Sequence, residues 1–152
     1  MAIIHTCSEK VGCTFEVWDH TVSLAEWLDN CTKLAANPHW PAGKRHLTDL
    51  RTSSDVSTIY DSDLQDVSSL FSIFGDRVAG LRLAIVISES QQRSAGVFAQ
   101  FISSTGVTPY LAREVEDACA WLGIDCAEAE TILAELRAKI QYGSAPELDA
   151  SQ

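Results

Sequence analysis

The sequence predicts an α/β domain built on a small mixed, mostly parallel sheet with flanking helices, and three observations carry that expectation. Leu81-Arg82-Leu83-Ala84-Ile85-Val86-Ile87 is nearly continuous in apolar and β-branched residues, the pattern of a strand covered on both faces. Two strand-like segments near the start are separated by Lys10-Val11-Gly12, which suits a hairpin. Beyond them, stretches of helical periodicity alternate with short strand-like runs, as in parallel strands joined by crossover helices.

Ile3, Ile4 and Thr6 open the first strand, and in the second Cys13, Phe15 and Val17 alternate with Thr14, Glu16 and Trp18 at period two. Ser23 followed three residues later by Glu26 is a capping box, and Leu24, Trp27, Leu28, Cys31, Leu34 and Ala35 follow at helical spacing. Pro38 disfavours helical geometry at Asn37, so the helix ends there and Pro38 to Gly43 is a connecting turn. Lys44 to Arg51 reads as a short strand, and Thr52 to Ser57 as a polar connection. Ser62 with Gln65 starts a second helix carrying Leu64, Val67, Leu70, Phe71 and Phe74, with Gly75 as its stop. The run from Leu81 to Ile87 is placed at the sheet centre. Ser88 with Gln91 starts a third helix with Ala95, Phe98, Phe101 and Ile102, Gly106 opens a strand over Val107 to Leu111, and Glu114 to Leu122 is a fourth helix. Asp125 with Glu128 caps a fifth, whose stripe is Ala129, Ile132, Leu133, Leu136 and Ile140, ending at Gly143. The chain thus divides into a domain over 1–125, a C-terminal helix packed on it over 126–142, and a mobile tail over 143–152.

Composition excludes several classes. The 152 residues are 46% hydrophobic, which suits one core. Eleven Lys and Arg against 21 Asp and Glu give a formal net charge of −10, so no nucleic-acid partner is expected. The longest apolar run, Leu83 to Ile87, is far below the roughly 20 residues of a membrane span, and no basic lead precedes an apolar segment at the start, which predicts a soluble cytoplasmic protein. Cys7, Cys13, Cys31, Cys119 and Cys126 are an odd, scattered set that reads as reduced thiols. No C-x2–4-C spacing and no histidine pair at i, i+4 occurs, so neither a metal nor a cofactor is expected. A nucleophile elbow, an S-x-x-K motif and a glycine-rich phosphate loop are all missing, and no catalytic residue is assigned. A weaker hydrolase or transferase reading would have to use His39 or His46.

Three stretches carry a resemblance to a known family: His46-Leu47-Thr48-Asp49-Leu50-Arg51, Arg82-Leu83-Ala84-Ile85-Val86, and Val115-Glu116-Asp117-Ala118-Cys119-Ala120-Trp121-Leu122. With the opening hairpin and Trp18 to Ala36, they resemble the SpoIIAA-like group of STAS domains over roughly Met1 to Asp125. The resemblance implies a role in binding or switching rather than catalysis: a regulatory or protein-interaction module, working as a homodimer or with a protein partner. Antagonists of this fold carry a phosphorylatable Ser or Thr after an Asp at the start of the helix following the third strand. Asp61-Ser62 stand at that place, followed by Asp63-Leu64 instead of the family's Ser-Gly. Ser62 is therefore a candidate phosphorylation site, and the alternative is an ordinary N-cap, since Asp61, Asp63 and Asp66 would repel a phosphate. The layout is also similar to the lipid-carrying CRAL-TRIO fold, which implies an acyl or prenyl guest.

Two sets of residues are candidates for ligand binding. Asp49 and Arg51 share a strand face near the end where open α/β sheets bind ligands, and with Arg82 they could hold an anion or polar headgroup. The alternative is that Asp49 pairs with a nearby arginine or caps the Thr52-Ser53-Ser54 turn. Leu64, Val67, Leu70, Phe71, Ile73 and Phe74 exceed one helical stripe, as do Ala95, Val97, Phe98, Phe101 and Ile102. Phe71, Phe74 and Phe98 are thus candidates to line a pocket for a small hydrophobic ligand beneath the second and third helices. A dimer interface and plain core packing are the competing uses of that surplus.

Overall fold

From Cys13 to Trp18 every residue is buried, so this segment has no solvent face and the sheet around it is covered on both sides. In the computed structural model, which describes residues 2–55 and 60–142, one sheet runs in the order β1 (Ile3–Ser8), β2 (Cys13–Thr21), β3 (Arg45–Asp55), β4 (Arg82–Val86) and β5 (Thr108–Ala112). β1 is antiparallel to β2, and the other neighbours are parallel. The helices α1 (Leu24–Ala36), α2 (Asp61–Ile73) and α3 (Gln92–Ile102) join successive parallel strands and pack on one face, as crossovers of one hand between adjacent strands require. The opposite face is covered by α4 (Val115–Leu122) and α5 (Cys126–Gln141). The fold is therefore α/β with a mixed, mostly parallel sheet and a C-terminal helix.

Period two sorts the strand residues between the two layers. Trp18, Leu83 and Ile85 meet α1, α2 and α3, while Phe15, Val17, Leu47, Ala84 and Val86 meet α4 and α5. The cap signals act where the sequence places them on α1 and α5: the Ser23 hydroxyl accepts from Glu26 N–H, and Asp125 accepts from Glu128 N–H. α5 lays Ala129, Leu133, Leu136 and Ile140 against the sheet on the side of β1 and β2. The tail expected over 143–152 lies outside the described residues. No helix among the described residues is long and apolar enough to cross a membrane.

Three sequence expectations are corrected. The central strand is β3, not β4: the apolar run of β4 reports coverage of both faces, which does not fix lateral position. β3 runs on through the polar stretch to Asp55, because Thr52 and Ser53 donate their hydroxyls to the carbonyls of Trp18 and His20 across an irregular end of the β2–β3 ladder. Ser62 is not the cap of α2; the helix begins at Asp61, and the Asp63 carboxylate accepts from Tyr60 N–H. The N-cap position falls on Tyr60, which has no side-chain cap bond, and the start is held by Asp63 at N3 reaching back, a signal that the Ser62–Gln65 spacing hides.

On the α4–α5 side, a buried carboxylate ties the last helix to the sheet. Asp49 is fully buried; it accepts from Arg51 Nε and a terminal guanidinium nitrogen, each at 3.0 Å, from Arg51 N–H at 3.0 Å, and from Arg137 of α5 at 2.8 Å. Burial alone would raise this carboxyl, but the hydrogen bonds and charge of Arg51, backed by Arg137, hold it below its ordinary range. A depressed folded-state value stabilises the fold above the unfolded carboxyl value of about 3.9, and that stability is lost as pH falls through the folded value. Asp49→Ala, which leaves two partly buried guanidinium groups without their acceptor, is expected to cost about 3–5 kcal/mol in urea unfolding at pH 7. The gap to the unsubstituted protein should narrow below about pH 4 as Asp49 protonates.

Candidate functional site

The layer between the sheet and α1–α3 is not closely filled. It holds a cavity of about 90 Å3 whose floor is Glu16 and Trp18 of β2, His46 and Thr48 of β3, and Leu83 and Ile85 of β4. Trp27, Asn30 and Cys31 of α1, Leu64 and Phe71 of α2, and Ser94, Ala95 and Phe98 of α3 form its roof. Interiors are ordinarily packed with few voids larger than a water molecule, so a space of this size distinguishes this layer. Its walls are mostly apolar, and the aromatic ones hold each other: Trp27 meets Trp18 edge-on with centroids 5.3 Å apart and lies 5.4 Å from Phe98.

A buried hydrogen-bonded chain forms the polar part of the floor. His46 Nε2 lies 2.9 Å from Glu16 Oε1, the Trp18 indole N–H donates to Glu16 Oε2, and the Trp40 indole N–H donates to His46 Nδ1 at 3.1 Å. An indole nitrogen only donates, so Nδ1 must accept and the ring's proton sits on Nε2, directed at Glu16. Burial opposes the charge on Glu16; the hydrogen bonds from His46 and Trp18 outweigh it and hold the carboxyl below its ordinary range. The Cys31 thiol is pushed up to about 12 by burial and then by the Glu16 charge.

The arrangement depends on the loop that brings Trp40 in. Arg77 donates to the carbonyls of Ala35, Asn37 and Trp40 and lies over the Trp40 ring at 5.2 Å, while Phe71 and Phe74 meet that ring edge-on. Ala42 N–H donates to Thr14 Oγ1, and Gly43, at φ +60, sits where a Cβ would collide with the Gly12 carbonyl of the β1–β2 hairpin. The loop thus docks on the sheet by close backbone approach that only glycine permits.

The structure brings Phe71 and Phe98 onto one cavity wall, and Phe74 stands behind Phe71 against Trp40. Asp49, Arg51 and Arg82 are not brought together there. Asp49 and Arg51 face the α4–α5 layer, and Arg82 pairs across from Arg45, four residues or about 13 Å back along β3 from Asp49. Arg82 lies over the Trp121 ring at 4.5 Å and donates to the Trp121 carbonyl. Ser62 is exposed in the first turn of α2 and is not among the residues that line the cavity. His39 is exposed and paired with Glu9. Among the described residues, no group of three or more His, Cys, Asp or Glu side chains is placed to hold a metal ion.

Sequence reasoning passed over Glu16 and Asn30. Glu16 reads as the solvent side of an alternating strand, and the signal against that reading was Trp18, two residues on and on the same face. Comparison with protein-family models, with curated proteins and with solved structures finds nothing that matches this chain.

Glu16→Gln tests the proton arrangement. A carboxamide accepts from only one of His46 and Trp18, and turning the imidazole over to suit its N–H would set Nδ1–H against the Trp40 indole N–H. One buried donor stays unpaired in every arrangement, so this isosteric change is expected to cost about 1–3 kcal/mol in urea unfolding.

Proposed function

We propose that the chain is a non-catalytic binding module of SpoIIAA-like, STAS type that senses or carries a small, mostly apolar molecule between its sheet and α1–α3. The observation that carries this reading is the 90 Å3 cavity walled by Trp18, Trp27, Phe71 and Phe98. Small-molecule sites are largely preformed apolar hollows with a few polar groups placed in them, and this hollow has that composition. The apolar surplus of α2 and α3 supports the same reading, because Leu64, Val67, Phe71, Ala95, Phe98 and Ile102 are buried and Val97 and Phe101 pack partly buried against the core.

A non-catalytic role draws support from the state of the reactive groups beside the cavity. Both ring nitrogens of His46 are engaged, so neither is free to move a proton at a guest. Burial, and then the Glu16 charge, push the Cys31 thiol on the cavity wall up to about 12, far from the thiolate a nucleophile needs. The homodimer or protein-partner reading has less behind it: the exposed large apolar side chains among the described residues are Leu28 on α1, Tyr60 and Ile73 at opposite ends of α2, and Tyr142 after α5.

Since Trp18 and Trp27 wall the cavity, occupancy is readable in tryptophan fluorescence. Titration with methylcyclohexane is expected to give a saturable change together with a rise in Tm, as for any ligand that binds only the folded state. Ala95→Leu, which places three more carbons in the cavity, should abolish both while the chain still unfolds cooperatively in urea. A response that never saturates, or one that persists in Ala95→Leu, would count against the cavity as a binding site.

A further inference from the structure

The cavity wall carries a buried donor without a partner. Asn30 borders the cavity from α1 and is 5% exposed; its Oδ1 accepts from His5 Nδ1 at 3.0 Å, and its Nδ2 makes no hydrogen bond. Buried polar groups in folded proteins are ordinarily paired, and one left unpaired on a cavity wall marks where an acceptor is missing. The neighbouring polar groups do not supply it. Gln91 is committed elsewhere, since its Nε2 donates to the carbonyls of Leu50 and Ser53 and its Oε1 accepts from Ser88 N–H. Glu16 directs its two oxygens to His46 and Trp18.

Glu16 also limits the charge of what can enter. Its two side-chain donors are an indole and an imidazole whose Nδ1 accepts from Trp40, so its oxygens are met by N–H groups and no arginine or lysine beside the cavity pairs with its charge. A second anion brought beside it, in an interior of low dielectric, meets repulsion that water would screen. The unpaired donor on the wall that is shut off from solvent is a neutral amide, the Thr48 and Ser94 hydroxyls are neutral as well, and no arginine or lysine is among the lining residues to offset a carboxylate or phosphate.

Resting on the cavity reading above, we infer that the guest is a neutral molecule with an apolar body and one carbonyl-type oxygen, that this oxygen accepts from Asn30 Nδ2, and that Glu16 turns away carboxylates and phosphates. Asn30 and Glu16 together set the chemical class: ketones, esters and amides of compact hydrocarbons rather than fatty acids or phospholipid headgroups.

The test is a matched set of six-membered rings, cyclohexanone, methylcyclohexane and cyclohexanecarboxylate, titrated at pH 7 against the full chain with tryptophan fluorescence as readout. Cyclohexanone is expected to bind at least tenfold more tightly than methylcyclohexane and at least tenfold more tightly than the carboxylate. In Asn30→Leu the preference for the ketone over the hydrocarbon should vanish while methylcyclohexane still binds, which reports that the cavity and fold are retained. Equal affinity of ketone and hydrocarbon in the unsubstituted protein, a carboxylate that matches the ketone, or a ketone preference that survives in Asn30→Leu would each overturn the inference and leave the cavity reading standing. If none of the three rings binds, the cavity reading falls and this inference falls with it. The comparison within the unsubstituted protein holds even if Asn30→Leu fails to fold.

Discussion

Burial of β2 and β3 on both faces is the constraint from which the rest of this structure follows, because each strand carries a carboxylate into a layer with no water to solvate it. Glu16 points to one layer and Asp49 to the other. An unpaired charge in such a place is costly, and these two carboxylates bring their compensation from within the protein. The two solutions differ. Asp49 is met by two guanidinium groups, one from its own strand and one from α5, so its neutralisation doubles as the attachment of the last helix. Glu16 is met by two N–H groups, an indole's and an imidazole's, which satisfy its oxygens.

That difference reaches far along the chain. For His46 to donate from Nε2 to Glu16, its Nδ1 must accept, and the acceptor role is imposed by the Trp40 indole. Trp40 is in turn held by Arg77, which gathers the carbonyls that α1 and the following loop leave open, and by the edges of Phe71 and Phe74. Gly43 lets that loop lie directly on the hairpin. A proton position on the cavity floor therefore depends on residues from the hairpin, the loop after α1, α2 and the turn that follows it. Such a network specifies one arrangement because its members fail together.

Local signals in the sequence carried the elements, and non-local pairing carried the site. The caps at Ser23 and Asp125, the stop before Pro38 and the stripes of α1 and α5 are each decided within four residues, and they were legible. The end of β3 was not, since Thr52 and Ser53 are polar by composition and become strand only through the carbonyls of β2. Asp49 and Arg51 were legible as a pair two residues apart on one face, but Arg137, 88 residues away from Asp49, was not. Glu16 and Asn30 were missed for the same reason. A glutamate alternating with apolar residues has the pattern of an exposed strand face, and only the helices folded over it make that face an interior one.

The cavity and the carboxylate are best understood as one feature. Filling the space with larger aliphatic side chains would gain about 0.8 kcal/mol for each buried methylene, yet it would press hydrocarbon against Glu16 and leave the Asn30 amide sealed in without an acceptor. A buried donor left without an acceptor costs of the order of 1–3 kcal/mol, comparable with the burial of two or three methylenes, and a closed layer would make that cost permanent for Asn30. A wholly apolar layer could have been packed shut; one floored by Glu16, His46 and Thr48 beneath Asn30 could not, except around a group that meets their hydrogen-bonding needs. The polar floor and the aromatic walls are thus two parts of one hollow that is mostly apolar with a few polar groups placed in it.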